Sequence, residues 1–302
     1  MNGILIIDKP AGITSHDVVS RVRRILHTKR VGHTGTLDPF ATGVMVILVG
    51  QATRLAQFLD KDKKEYEASI KFGFATDTGD VTGSPNTEDP RPKAVKISDL
   101  ISVLPHFRGE FEQTPPMYSA KKIDGKKLYE LARKGETVER KPVVVTISEL
   151  EMLPPRPATY EERSDERMTH GVRVVCSAGT YIRVLAEDIG RKLGVGAHLT
   201  ALRRTAAGKF TIGTSITLEQ LGDLDDPTTA MIPMTDAVSH LAKFTVPDDR
   251  IDRTRNGMST RVFDTSFIDG EPVQMLDAPG ELIAIGFFDA AENVVQPKVV
   301  LV

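Results

Sequence analysis

The segment Gly32-His33-Thr34-Gly35-Thr36-Leu37-Asp38-Pro39-Phe40-Ala41-Thr42-Gly43 carries a carboxylate inside a run that cannot be helical. Three glycines and a proline within twelve residues mark a shaped loop. Pro39 disfavours helical backbone at Asp38 and holds that residue extended or turned. A carboxylate restrained in direction can attack as a nucleophile or take up a proton in a two-step reaction. By composition alone, an Asp-Pro pair is equally the chemistry of a plain turn.

Metal chemistry has little to build on. The chain has a single cysteine, Cys176, so neither a disulfide framework nor a cysteine zinc site can form. Its histidines (His16, His27, His33, His106, His170, His198 and His240) show no ligand spacing. Cys176 reads most simply as a buried apolar residue.

The 302 residues are 40% hydrophobic and 26% charged, with a net charge of −2. That composition suits a soluble globular protein of one large domain, or one large and one small. No apolar run approaches the roughly 20 residues that cross a bilayer, and the start lacks the pattern of a secretory signal. A cytoplasmic location is expected.

The near-neutral total hides an asymmetry. Residues 1–59 carry seven basic side chains against three acidic ones. Residues 119–135 and 183–209 each carry six against two, while residues 217–302 carry six against fifteen. Three separated basic segments can meet as a track for phosphates, or remain solvated faces.

Several elements must position these groups. Ile4–Ile7 reads as a strand, and Ser15 can cap a helix bearing Val18, Val19, Val22, Ile25 and Leu26 on one face. Val44–Val49 is a continuous apolar run, as in a buried strand. Residues 53–59 suggest a short helix. Alternation over Glu65–Phe74 predicts a strand with Tyr66, Ala68, Ile70 and Phe72 on one face. Further helices are expected over 97–107, 126–134 and 180–193, the last closed by Gly194. Strands are expected over 143–150 and 172–176. Residues 77–92 are turn-rich, and Pro154–His170 reads as an exposed loop. The tail from about Phe244 reads as a small all-β domain. Strands adjacent in sequence, mixed with helices, favour α+β over a doubly wound sheet.

Four motifs in order give the chain a sharper reading. Gly32 to Pro39 resembles the signature of the TruB family of tRNA pseudouridine synthases, in which the aspartate is the nucleophile, so the resemblance assigns that role to Asp38. Gly3 to Ser15 resembles the family's opening, where a lysine-proline pair, here Lys9 and Pro10, supports the catalytic loop. Lys64-Glu65-Tyr66-Glu67-Ala68, with Gly73 to Asp80, resembles the segment whose tyrosine stacks on the target base. That role falls to Tyr66, and Asp80 matches the family aspartate near the RNA loop. Cys176-Ser177-Ala178-Gly179-Thr180-Tyr181-Ile182-Arg183 resembles the motif whose arginine pairs with the catalytic aspartate. Arg183 and Tyr181 are both intact. Leu202, before Arg203-Arg204-Thr205, matches the leucine of the uracil pocket, and His33 would help hold a flipped-out base. Agreement in order over residues 3–205 is far more specific than one short motif.

The resemblance implies an α+β fold of the pseudouridine synthase type, with a mixed, largely antiparallel sheet core. It also implies a catalytic domain over 1–240, an RNA-gripping thumb insertion over 113–140 and a PUA-like all-β domain over 244–302. The acidic tail departs from an electrostatic RNA grip. The activity implied is isomerisation of the TΨC-loop uridine of tRNA to pseudouridine, with no cofactor and no metal. The expected partner is the tRNA T-arm, without membrane or obligatory protein partner, the chain acting as a monomer. Lys121, Lys122 and Arg203 are candidates for phosphate contacts. Other readings are an RNA chaperone, a nucleoside or glycoside hydrolase, which usually needs two carboxylates across the bond, and a guide-RNA-dependent synthase of the same superfamily.

Overall fold

A computed structural model describes residues 1–86, 95–123, 125–132, 134–154, 169–263 and 266–301. Most of the polar segment 154–170, and the end of 77–92, therefore lie outside the described residues.

Strand β1 (Gly3–Lys9) leads to helix α1 (Ser15–Ile25), then to β2 (Val31–Thr34) and β3 (Thr42–Val49). A 3-10 turn and the four-residue helix α2 (Ala56–Leu59) precede β4 (Lys64–Phe72). Helix α3 (Ile97–Val103) and β5 (Gly109–Gln113) follow, then the hairpin of β6 (Lys122–Ile123) and β7 (Lys126–Lys127) and helix α4 (Leu128–Ala132). The core is completed by β8 (Val143–Met152), β9 (Thr169–Cys176), helix α5 (Ile182–Lys192), β10 (Ala197–Ala207) and β11 (Phe210–Thr211). Among the described residues these form one sheet in the order β1-β3-β10-β4-β9-β8-β5, with β2 on β3 and β11 on β10. All its pairings are antiparallel except β3 with β10.

Burial explains why β1 and β3 read as unbroken apolar runs. Leu5, Ile7, Met45, Ile47 and Val49 face α1 in the larger core. Ile4, Ile6, Val44, Val46 and Leu48 face a second core that includes Leu276, Leu282, Ile285 and Val299 from the tail. A strand covered on both faces has no polar alternation to show. Strand β4 alternates as its sequence does, with Tyr66, Ala68, Ile70 and Phe72 buried.

The tail forms a second sheet from β12 (Ala242–Thr245), β13 (Thr260–Arg261), β14 (Pro272–Leu276), β15 (Leu282–Asp289) and β16 (Val294–Val300), in the order β12-β14-β15-β16-β13. The α+β class and the all-β tail agree with the sequence reading.

Several boundaries differ from it. The cap of α1 is Thr14, in a reciprocal box with Asp17, and not Ser15. The Ser15 hydroxyl instead bonds the backbone of Leu37. The helix expected over 97–107 gives way to a 3-10 turn after Val103, where Pro105 has no N–H for the helical ladder. The helix expected over 126–134 is shortened to α4 because Lys126-Lys127 pair as β7. Strands β2 and β5 and the eleven-residue β10 have no counterpart in the sequence reading. In β10, register shifts between Leu199 and Ala201 and between Arg204 and Ala206 break the period-2 pattern, so the apolar residues fail to alternate.

Candidate active site

Asp38 sits on the loop between β2 and β3, and the loop on either side of it is held by four residues. The fully buried Lys9 ammonium donates to the carbonyls of Pro10 (2.9 Å), Pro39 (3.2 Å) and Ala41 (2.7 Å). The Ser15 hydroxyl donates to the Leu37 carbonyl and accepts the Leu37 N–H, at 3.0 and 2.9 Å. The Gly12 N–H donates to the Pro39 carbonyl at 2.8 Å. The Arg204 guanidinium donates to the carbonyls of Gly35 (2.9 Å) and Val44 (2.7 Å). At the end of the loop, Gly43 has φ +104°, and a Cβ there would stand 2.2 Å from the Arg204 carbonyl oxygen. Only glycine permits this close parallel approach of β3 and β10.

Arg183 occupies the first turn of α5 and is 4% exposed. Its Nε lies 2.9 Å from Asp38 Oδ2 and its Nη2 donates to Asp38 Oδ1 at 3.2 Å. The remaining N–H groups reach the carbonyls of Tyr118 (2.6 Å) and Thr78 (2.7 Å), and Asp80 lies 3.8 Å away. A planar fork with every direction occupied fixes the carboxylate in direction as well as charge. The Asp38 side chain is 32% exposed, and its open side faces a cavity of about 250 Å³. Burial pushes the Asp38 carboxyl above its ordinary range, against the opposing pull of Arg183. The carboxylate is thus a stronger base than a fully solvated one, held in a partly dry site.

Tyr66, Leu202, Arg204, Lys64 and Tyr181 line the same cavity. Tyr66 is buried on β4, and burial raises its phenol pKa. Tyr181 precedes α5. Its backbone N–H donates to Gln113 Oε1 (2.7 Å) and its carbonyl accepts from Gln113 Nε2 (3.1 Å), which ties the start of the 113–140 segment to that helix.

The other sequence candidates are distributed more widely. Asp80 is buried behind Arg183, with one carboxylate oxygen accepting from the Thr78 hydroxyl and from the N–H and hydroxyl of Thr82. Pro10 adjoins the Lys9 anchor. His33 lies on β2 outside the cavity lining, and burial lowers its pKa. Lys121 is exposed and does not line the cavity, although its neighbour Ala120 does, and the Lys122 side chain is outside the described residues. Arg203 is held by both carboxylate oxygens of Asp8, at 3.1 and 2.7 Å.

Sequence reasoning gave no role to Lys64, Arg204, Gln113 or Ser119. For two of them the spacing becomes meaningful once β4 and β10 are known as strands, on which residues two apart share a face. Lys64 precedes Tyr66 by two and Arg204 follows Leu202 by two, so each projects to the buried cavity side. Lys64 donates to the carbonyls of Asp60 and Asp62, at 2.7 and 2.6 Å.

Comparison with known proteins agrees with this architecture. Over 99% of the chain and 85% of the other, the fold matches the chain in the crystal structure of a Cbf5-Nop10-Gar1 complex, with TM-score 0.75 and 28% identity. A second match, from the structure of an H/ACA RNP bound to a substrate RNA containing 2′-deoxyuridine, covers 99% and 85%, with TM-score 0.73 and 27% identity. The core is therefore that of a pseudouridine synthase. Residues 23–182 match the TruB family pseudouridylate synthase N-terminal domain, and residues 183–239 match the tRNA pseudouridylate synthase B C-terminal domain. The tRNA pseudouridine synthase B of Bacillus pumilus is 39% identical over all of this chain and 98% of its own length. That of Pelotomaculum thermopropionicum is 50% identical over 73% of this chain and 68% of its own. The chain belongs to the TruB family.

Proposed function

We propose that this chain isomerises a uridine of tRNA to pseudouridine in the cavity before Asp38, acting on the TΨC-loop uridine. The observation that carries the reading is the two-point contact of Arg183 with Asp38 at the wall of a cavity lined by Tyr66 and Leu202. In the reaction the C1′–N1 bond breaks, the uracil turns, and C5 joins C1′. The proton on C5 leaves and N1 gains one, so no oxidant or net water is needed.

Asp38 acts on the sugar and Arg183 keeps it ionised and aimed. Tyr66 stacks on the detached base, which confines it while permitting in-plane rotation; such stacking is worth roughly 1–3 kcal/mol. Leu202 and Tyr181 complete the apolar wall. Because C1′ lies within a folded RNA loop, the nucleotide must first flip out, and His33 on β2 assists that conformation. Lys9 and Pro10 support the loop of Asp38, and Asp80 braces Arg183. A hydrolase reading would need Asp60, the other carboxylate lining the cavity, to stand across the bond from Asp38, since Asp80 is committed to Thr78 and Thr82.

Residues 1–240 form the catalytic domain in this reading, with 113–140 as a thumb on the T-arm and 244–302 as a PUA-like domain. The chain works in the cytoplasm as a monomer, without an obligatory protein partner. Lys121 contributes phosphate affinity from the thumb. The test is tritium release from C5-labelled uridine in an unmodified tRNA transcript. Release by the wild type but not by Asp38→Ala, with RNA binding retained, supports the assignment. No release by a folded, RNA-binding wild type refutes it.

A further inference from the structure

Among the described residues that line the cavity, Ser119 alone carries a buried side-chain polar atom without a hydrogen-bond partner. The residue is 5% exposed and its backbone is fully engaged. Its N–H donates to the Met117 carbonyl at 2.9 Å, and its carbonyl accepts from the Tyr129 N–H at 3.1 Å. A buried hydroxyl left unpaired costs about 1–3 kcal/mol. Folded chains seldom retain one without a use.

Its neighbours indicate what it faces. The carbonyl of Tyr118, one residue back, is 2.6 Å from Arg183 Nη2, and that nitrogen is 3.2 Å from Asp38 Oδ1. The Tyr118-Ser119 corner thus stands over the end of the guanidinium that grips the carboxylate. Asp38 must approach C1′ for the proposed reaction, and the carbon beside C1′ bears the 2′-hydroxyl. In the proposed reaction the base would lie over the side chains of Tyr66 and Leu202, which line the cavity from the paired strands β4 and β10.

We propose that Ser119 Oγ hydrogen-bonds the ribose 2′-hydroxyl of the flipped-out uridine, positioning C1′ before Asp38 and favouring ribose over deoxyribose at that nucleotide. The role rests on the isomerase reading, and it gives the free protein's unpaired hydroxyl a partner that only the substrate brings. A 2′-hydroxyl both donates and accepts, so a freely rotating serine hydroxyl is matched to it in either sense.

The test is a two-by-two comparison of kcat/KM. Wild type and Ser119→Ala are each given an all-ribose tRNA transcript and the same transcript with one 2′-deoxyuridine at the converted position. Ser119→Ala should lose about five- to tenfold on the ribose substrate, the size of one hydrogen bond. On the deoxy substrate it should match the wild type within about twofold, since the sugar change alone cancels in the cycle. The same four pairs compared by Kd in an Asp38→Asn background should give the same pattern without turnover. Thermal unfolding separates a structural role: removing an unpaired buried hydroxyl should leave Tm equal to or above that of the wild type. Equal losses on both substrates, no loss on ribose, or a lowered Tm would overturn the proposal. No product from either protein on the all-ribose transcript would instead mark failure of the isomerase reading itself, and the Ser119 role would fall with it.

Discussion

Arg183 grips Asp38 through two nitrogens, Nε at 2.9 Å from one carboxylate oxygen and Nη2 at 3.2 Å from the other. The pair joins the β2–β3 loop to the start of α5, 145 residues apart. Arg183 opposes the burial that raises the Asp38 pKa. Replacing it with methionine removes both the charge and the hydrogen bond. The acid limb of the pH–rate profile should then move up by about 1–3 pH units, the range over which a neighbouring guanidinium lowers a carboxyl. The plateau rate should fall as well. An unmoved acid limb in Arg183→Met would contradict the pairing role.

The same raised pKa makes Asp38 costly to the fold. At pH below the unfolded value both states hold the proton, and the penalty is absent. As pH rises through the higher folded pKa, the folded carboxyl must ionise in a partly dry site, and stability is lost. Asp38→Asn should therefore be more stable than the wild type at pH 7, and the gain should shrink as pH falls toward 4. Urea denaturation of both proteins at two pH values measures this, and a less stable Asn variant at pH 7 would refute it.

Lys9 titrates in the opposite sense. Burial lowers its pKa to about 8, so the folded state releases a proton that the unfolded chain keeps up to its ordinary value. Stability contributed at this site should rise between about pH 8 and pH 10.5, by about 3 kcal/mol from the full shift. Subtracting the curve of Lys9→Met isolates the effect. Below pH 8 the charged amine supplies three N–H donors to three carbonyls. A neutral amine has two, so activity should fall over the window in which stability improves.

Arg203 and Lys121 should separate in salt titrations of RNA binding. Lys121 is exposed, whereas Arg203 is held by Asp8. Lys121→Ala should reduce the salt dependence of affinity by about 0.7–0.9 in log–log slope, the value of one phosphate contact. Arg203→Ala should change it less. Asp8→Ala, which frees the guanidinium, should steepen it. A larger slope change for Arg203→Ala than for Lys121→Ala would show that Asp8 yields to phosphate.

Gly43 tests the packing that holds the loop. With φ +104° and a would-be Cβ 2.2 Å from the backbone oxygen of Arg204, alanine must displace β3 from β10. The expected loss is more than about 3 kcal/mol, since backbone strain and overpacking add. Circular dichroism melting of Gly43→Ala checks it, and a melt within a few degrees of the wild type would show that the strands can separate cheaply.

The resemblance of ordered motifs singled out Asp38, Lys9, Tyr66, Tyr181, Arg183 and Leu202, and local chemistry accounts for part of it. Pro39 restrains Asp38 wherever the loop is placed, and the alternation of β4 puts Tyr66 on a buried face without reference to its partners. The apolar runs of β1 and β3 likewise announce strands covered on both sides. Those properties depend on covalent geometry and a period of two, which are written within a few residues of the position concerned.

Tertiary structure alone decided which of the charged side chains are free. Nothing near Arg203 in the sequence shows that Asp8, 195 residues away, will hold it. The strand β10 was hidden because its two register shifts disrupt the apolar alternation, and with it went the inward placement of Arg204. Ser119 looked like a residue of an exposed basic segment; only the Tyr118–Arg183 contact turns it into the cavity wall. Pairings of this kind depend on which distant segments pack together, and the summed core, not the local sequence, sets that.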